Sequence, residues 1–346
     1  MNIQWFPGHM AKTRRLIAEN LKLVDVVIEL LDARIPFSSR NPEIDSLVNN
    51  KPRLVVFNKS DLADDNISRQ WVRWYESQGI KCILINSING KGINEVKARA
   101  KEIMAPKIER DRAKGKIFTP IRTMVVGIPN VGKSSFINKI VGKAMTVTGD
   151  RPGVTRGKQW IRISPEMELL DTPGILWPKF EDVEVGKNLA FTGAIKDDVL
   201  DTAEVAMELL YRLLQTYPQN LCTRFKLDYD SVKDIGKLEL LETVGRKRGC
   251  IIARGEIDYS RISAIVLDEF RGGKIGRITL EKPYDKQQNE IPNDKKQNDI
   301  ANDDKQNEIP SNKKDNDILN DDKQNEVPND NMQNDIPEYM DTESNN

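Results

Sequence analysis

Gly127-Ile128-Pro129-Asn130-Val131-Gly132-Lys133-Ser134 stands between an apolar run at 122–126 and an amphipathic stretch at 133–141. A short apolar run, a Gly-x-x-x-x-Gly-Lys-Ser segment and a helical pattern read as a strand, a tight loop and a helix N-terminus. The glycines let backbone N–H groups approach an anion, and Lys133 neutralises charge on β- and γ-phosphates. The Ser134 hydroxyl can ligate Mg²⁺, and Val131, Gly132 and Ser135 complete the wrap around the phosphates. The segment is therefore read as a phosphate-binding loop. Working outward, the runs 23–31, 53–57 and 81–85 have the Val, Ile and Leu content of strands buried on both faces. Amphipathic stretches at 10–21, 66–77 and 92–104 lie between them, and two more strands are expected at 159–163 and 167–170. This alternation predicts an α/β fold with a doubly wound, mostly parallel sheet.

Asn58-Lys59-Ser60-Asp61 follows the run 53–57, and Asn86-Ser87 follows the run 81–85. Ionised Asp61 can accept from the N1–H and the 2-amino group of guanine, a donor pair that adenine lacks. The tetrapeptide thus selects GTP over ATP, and Asn86-Ser87 is expected to close over the base. Asp171-Thr172-Pro173-Gly174, at the end of a predicted strand, offers a carboxylate for Mg²⁺ and the Gly174 N–H for the γ-phosphate. In GTPases of the usual order the phosphate loop precedes the base-reading tetrapeptide. Here the order is reversed, which makes the chain a circularly permuted P-loop GTPase. The stretch 105–119, with Lys107, Arg110, Arg112, Lys114 and Lys116, is read as the linker joining the old termini. The loop after Gly174 then runs directly into whatever follows residue 180.

Three domains are expected: a GTPase domain at 1–180, a mainly α-helical domain at 181–282 and a tail at 283–346. Apolar positions recur at helical spacing over 197–214, and further helices are expected at 230–245 and 257–270. The formal net charge of zero conceals an asymmetry. The tail holds 17 Asp and Glu against seven Lys and no Arg, leaving an excess of ten basic residues before it. That excess, with Arg246-Lys247-Arg248, Arg254, Arg261, Arg271, Lys274 and Arg277, points to RNA as a partner of the helical domain. The tail repeats with a period of nine residues, as QNEIPND, QNDIAND and four further copies. With about one aliphatic residue per copy it can offset little ordering entropy, so it is read as disordered. No apolar run approaches the ~18 residues of a membrane span and no secretory leader is visible, so a cytoplasmic location is expected. Cys82, Cys222 and Cys250 are widely spaced, which fits free thiols rather than a zinc site.

The N-terminal WFPGHM, Asp32-Ala33-Arg34-Ile35-Pro36, NKSD, GIPNVGKS, Gly153-Val154-Thr155 and DTPG together resemble the bacterial ribosome biogenesis GTPase A family over roughly 1–282. The resemblance implies a factor that acts late in assembly of the large (50S) ribosomal subunit. Such a factor binds ribosomal RNA, not DNA, and hydrolyses GTP to GDP when the particle stimulates it. It also implies that Thr155 is the switch threonine that closes onto Mg²⁺. Ile175 stands where Ras-like enzymes use a water-orienting Gln, and the family attributes that role to the histidine matching His9, the chain's only histidine. Asn130 matches the asparagine that coordinates K⁺ in potassium-activated GTPases. The expected catalytic groups are thus His9, Lys133 and Gly174. Two alternatives stay open from the residues themselves: a GTPase switch on another RNA or signalling target, and a binding module that holds GTP with negligible turnover.

Overall fold

The computed structural model describes residues 15, 18–42, 48, 51–116, 120–142, 147–148, 160–170 and 182–283. These all belong to the unit Met1–Ile291, the first of two into which the chain divides. The expected α/β architecture is present. Strands β1 (Val26–Asp32), β2 (Arg53–Asn58), β3 (Lys81–Leu84), β4 (Ile121–Gly127), β5 (Val147–Thr148), β6 (Trp160–Ser164) and β7 (Met167–Leu170) form one sheet in the order β3-β2-β1-β4-β7-β6-β5. The pairs among β3, β2, β1, β4 and β7 are parallel, and β5 and β6 close the far edge antiparallel.

Successive side chains of a strand point to opposite faces. In β1 and β2, Ile28, Leu30, Leu54 and Val56 face helices α2 (Ile93–Ala113) and α3 (Lys133–Val141) in one core. Leu31, Val55 and Phe57 face Trp71 and Tyr75 of α1 (Asp65–Ser77) in another. Both faces are covered, which is why these strands read as continuous apolar runs. The carboxyl ends of β3, β2, β1 and β4 lie side by side. They deliver 86–87, 58–61, 32–36 and 127–134 to one rim, the usual place for a ligand in an open parallel sheet.

Much of the stretch 105–119, read as the linker joining the old termini, is helical. Helix α2 continues through Pro106 to Ala113. Proline forfeits one backbone hydrogen bond, but Met104 and Ile108, one turn apart, pack with Val26 and Ile121. That burial carries the helix past its breaker. The second region is helical, as expected: α4 (Val183–Phe191), α5 (Thr202–Thr216), α6 (Pro218–Phe225), α7 (Tyr229–Val232), α8 (Lys237–Lys247) and α9 (Tyr259–Arg271). The helical reading of 197–214 began too early. Asp201 caps α5, accepting from the N–H groups of Ala203 and Glu204 at 3.0 Å, and Val199 ahead of it is 57% exposed. Helix α4 serves both cores, with Val185 and Leu189 in the sheet core and Ala190 and Phe191 in the helical one. The three cysteines are free, as read.

Candidate nucleotide-binding site

Asn58, the last residue of β2, is buried, and its amide joins three loops. Nδ2 donates to the Val131 carbonyl at 2.7 Å, while Oδ1 accepts from the Ser87 backbone N–H at 3.1 Å and the Ser87 hydroxyl at 2.7 Å. The first residue of the base-reading tetrapeptide thus fixes the phosphate loop and the 86–87 loop relative to each other. Gly132 is demanded by this contact: its φ is +100°, and a Cβ there would lie 2.3 Å from Asn58 Nδ2. Asn86 shapes its own turn, its Oδ1 accepting from the N–H groups of Ile88 at 2.8 Å and Asn89 at 3.1 Å. The Ser60 N–H donates to Ile85 O at 3.1 Å, tying the tetrapeptide to the end of β3.

Lys59 adopts a left-handed φ of 59°, and its ammonium donates to the Asn130 carbonyl at 2.7 Å and pairs with Asp32 at 3.0 Å. Asp32 is held from its other side by Arg34. The guanidinium donates from Nε to Oδ1 at 2.9 Å and from Nη2 to Oδ2 at 2.8 Å. Burial alone would raise the Asp32 pKa, but the charges of Arg34 and Lys59 overcome it and hold the carboxyl far below the usual carboxylate range. Asp61 is exposed and makes no hydrogen bond or ion pair among the described residues, so its oxygens are available to a base. The sequence reading used 32–36 only as a family mark. Its physical role as a brace for Lys59 depends on β1 and β2 being neighbours.

In the phosphate loop the Lys133 ammonium donates to the carbonyls of Gly127 at 3.0 Å and Ile128 at 2.7 Å, and burial pushes its pKa down to about 8. Ser134 and Ser135 are exposed at the start of α3. Asn130 has a φ of 56°, and its Nδ2 donates to Gly193 O at 2.6 Å. Its Oδ1 is uncommitted among the described residues. His9, Thr155, Asp171 and Gly174 lie outside the described residues.

The chain is similar in sequence to known proteins. A family described as "50S ribosome-binding GTPase" matches residues 122–222. The ribosome biogenesis GTPase A of Bacillus cereus is 52% identical over 283 residues, covering 82% of this chain and 95% of its own length. The Priestia megaterium protein of the same name is 50% identical over 289 residues, covering 83% and 99%. The chain belongs to the ribosome biogenesis GTPase A family. It is a GTPase, and it binds GTP and GDP. The GDP-bound structure of YlqF from T. maritima has the same fold, with a TM-score of 0.59 at 24% identity, over 78% of this chain and all of that one.

In this GTPase the segment after α9 returns to the nucleotide rim, which the sequence reading missed. The Ile278 N–H donates to Leu62 O at 2.9 Å and the Leu280 N–H to Arg34 O at 2.8 Å. Thr279 Oγ1 accepts from the Asp64 N–H at 3.0 Å, and Trp71 Nε1 donates to Glu281 O at 3.0 Å. Arg277 donates to Ser60 O at 2.9 Å and to the Asp65 carboxylate. Glu281 itself is buried, accepting from the Phe37 N–H at 2.7 Å, Asn188 Nδ2 at 2.9 Å and the Ser38 hydroxyl. Burial raises its pKa in spite of these donors. Arg271 binds Asp197 through both Nη atoms, at 2.7 and 2.8 Å, and Arg248 binds Glu269 at 2.7 and 2.9 Å. Arg248 and Arg271, read from the sequence as part of a basic surface, are thus partly buried and paired within the fold, while Arg277 is exposed but paired with Asp65. Among the described residues no helix is long and apolar enough to cross a membrane.

Proposed function

We propose that this GTPase acts late in assembly of the large (50S) ribosomal subunit, binding the precursor particle and its RNA in the GTP state. Particle-stimulated hydrolysis then releases it. The observation that carries the proposal is the direct bonding of both nucleotide loops to the helical region. Asn130 of the phosphate loop donates to Gly193, and Ser60 of the base-reading loop accepts from Arg277. A change in either loop is thereby transmitted to the helices. The names of the relatives and the description of the matching family supply the target: ribosome assembly and the 50S subunit. We assign 1–180 to nucleotide binding and 181–282 to RNA contact, with α4 shared between them, and place the protein in the cytoplasm.

In this reading Asp61 accepts from guanine, Asn86-Ser87 flanks the base, and 127–135 wraps the phosphates with Lys133 against their charge. Ser134, whose hydroxyl is exposed and uncommitted among the described residues, fits a hard cation, and with Thr155 and Asp171 it would hold Mg²⁺. The uncommitted Asn130 Oδ1 fits K⁺. Bound there, these ions supply positive charge against that developing between the phosphates. Gly174 donates its N–H to the γ-phosphate, and His9 orients water.

The test is turnover with and without large-subunit precursor particles. Stimulation in wild type, with His9→Ala retaining GTP affinity but losing stimulated kcat, supports the reading. Turnover unchanged by the particle would reject it in favour of a GTPase with another target or a module that merely holds GTP.

A further inference from the structure

The turn after α8 places a strained arginine where nothing among the described residues uses it. Gly249, at φ 66°, reverses the chain, and Ile251 and Ile257 then form an isolated bridge that frames a tight turn. Within that turn the Ile252 N–H donates to Glu256 O at 2.9 Å and the Gly255 N–H to Ile252 O at 3.2 Å. Arg254 stands at its tip with φ 70° and ψ 10°. That is the left-handed region, which a side chain with a Cβ occupies only at a cost and which glycine takes freely. The guanidinium of Arg254 is exposed and makes no hydrogen bond or ion pair among the described residues. Beside it Ile251 and Ile252 are 47% and 49% exposed. Among the described residues nothing offsets the cost of this strained residue and its two solvent-facing isoleucines.

The charges around the turn identify its partner. Arg246, Lys247 and Arg261 are exposed on the flanking ends of α8 and α9. Of the nearby acids Glu269 is neutralised by Arg224 and Arg248, whereas Asp258, which caps α9, Glu242, which accepts from the Tyr259 hydroxyl at 2.5 Å, and Glu256 keep their charge. The four cations, none with an ion-pair partner among the described residues, outnumber these three carboxylates and, spread around an exposed turn, match a phosphate backbone.

We infer that the turn 251–257, with Arg254 at its tip and Arg246, Lys247 and Arg261 on its flanks, is the element that contacts RNA phosphates, its isoleucines resting on the exposed faces of ribose or base. This rests on the proposed RNA-binding function of the helical region and assigns that function a site.

The experiment uses the full chain and deproteinised large-subunit ribosomal RNA, with affinity measured across a salt series. Arg254→Gly should weaken binding and reduce the slope of log K against log salt by about 0.7 to 0.9, the value of one phosphate contact. Its thermal midpoint should hold or rise, since glycine relieves the left-handed strain. Arg254→Lys should restore the slope. Lost affinity with a lowered midpoint that Arg254→Lys does not rescue would mean a structural role and overturn the inference. Unchanged affinity and slope in Arg254→Gly, with wild type binding well, would overturn the site while leaving RNA binding in place. Failure of the wild type to bind this RNA at any salt would overturn both.

Discussion

Replacing Arg34 by methionine removes one arm of the brace around Lys59 while nearly filling its volume. The side chains of Arg34 and Asp32 are 1% and 2% exposed, so the variant leaves a buried carboxylate with Lys59 as its remaining ion-pair partner and the residue-34 backbone N–H, at 3.1 Å, as its other donor. Removing one partner of a buried ion pair costs about 3–5 kcal/mol, and the Lys59 contact at 3.0 Å places this case near the lower end, at about 3 kcal/mol. Against a domain stability of ~5–15 kcal/mol that loss is large. Packing is lost too, since the guanidinium lies 5.3 Å from the Phe270 ring centroid. The two contributions separate by pH. In wild type the Asp32 pKa is depressed, so its stabilisation is present above the unfolded value of about 3.9 and fades as pH falls. Without Arg34, burial is opposed chiefly by Lys59, and the folded pKa moves up from its wild-type value. The variant then loses less stability than wild type as pH falls. Urea unfolding at pH 7 and near pH 4 should show the gap between wild type and variant narrowing at the lower pH, with similar m-values. Asp32→Asn added to Arg34→Met should recover much of the loss. A gap of equal size at both pH values would show that only packing was lost and refute the electrostatic account.

Asp61→Asn should shift preference from GTP toward xanthosine triphosphate, because the amide can donate to the 2-oxo group; unchanged GTP affinity would exclude Asp61 as the base reader. For Lys133, with its pKa near 8, nucleotide affinity should fall by up to tenfold per unit as pH rises above that value, and calorimetric titration of Lys133→Arg should show no such fall. The same depressed value means that the folded chain binds fewer protons than the unfolded one between about 8 and 10.4, so the nucleotide-free protein should gain stability across that window. Truncation after Lys282 removes ten net negative charges and should strengthen RNA binding, with a gain that shrinks as salt rises; an equal gain at all salt concentrations would show that charge is not the cause.

The nucleotide rim was legible because its determinants are local. A Gly-x-x-x-x-Gly-Lys-Ser loop after an apolar strand, and Asn58 to Asp61 after another, each carry their geometry within a few residues. Their reversed order along the chain, with the parallel sheet, was enough to expect adjacent loops. What escaped the reading was long-range. Glu281 meets Ser38 across 243 positions, and Arg277 meets Asp65 across 212. No periodicity signals that the segment after α9 folds back onto the first βα loops. The same blindness put Arg248 and Arg271 on a basic surface, since charge along a sequence does not reveal a partner such as Glu269 or Asp197. Helix α6 was missed because its eight residues carry few apolar positions, although Pro218 at its first turn was a usable signal. Helix α2 outran its expected end because packing of Ile108 outweighs the local cost of Pro106.

The central claim is that nucleotide state governs association with the large subunit. Sedimentation of the full chain with free large subunits or their precursors, in a non-hydrolysable GTP analogue and in GDP, tests it most directly. The account predicts co-sedimentation with the analogue and its loss in GDP, with Arg277→Ala and Asn130→Ala narrowing the difference by uncoupling the loops from the helices. Equal co-sedimentation in both nucleotides, or in neither, would contradict it.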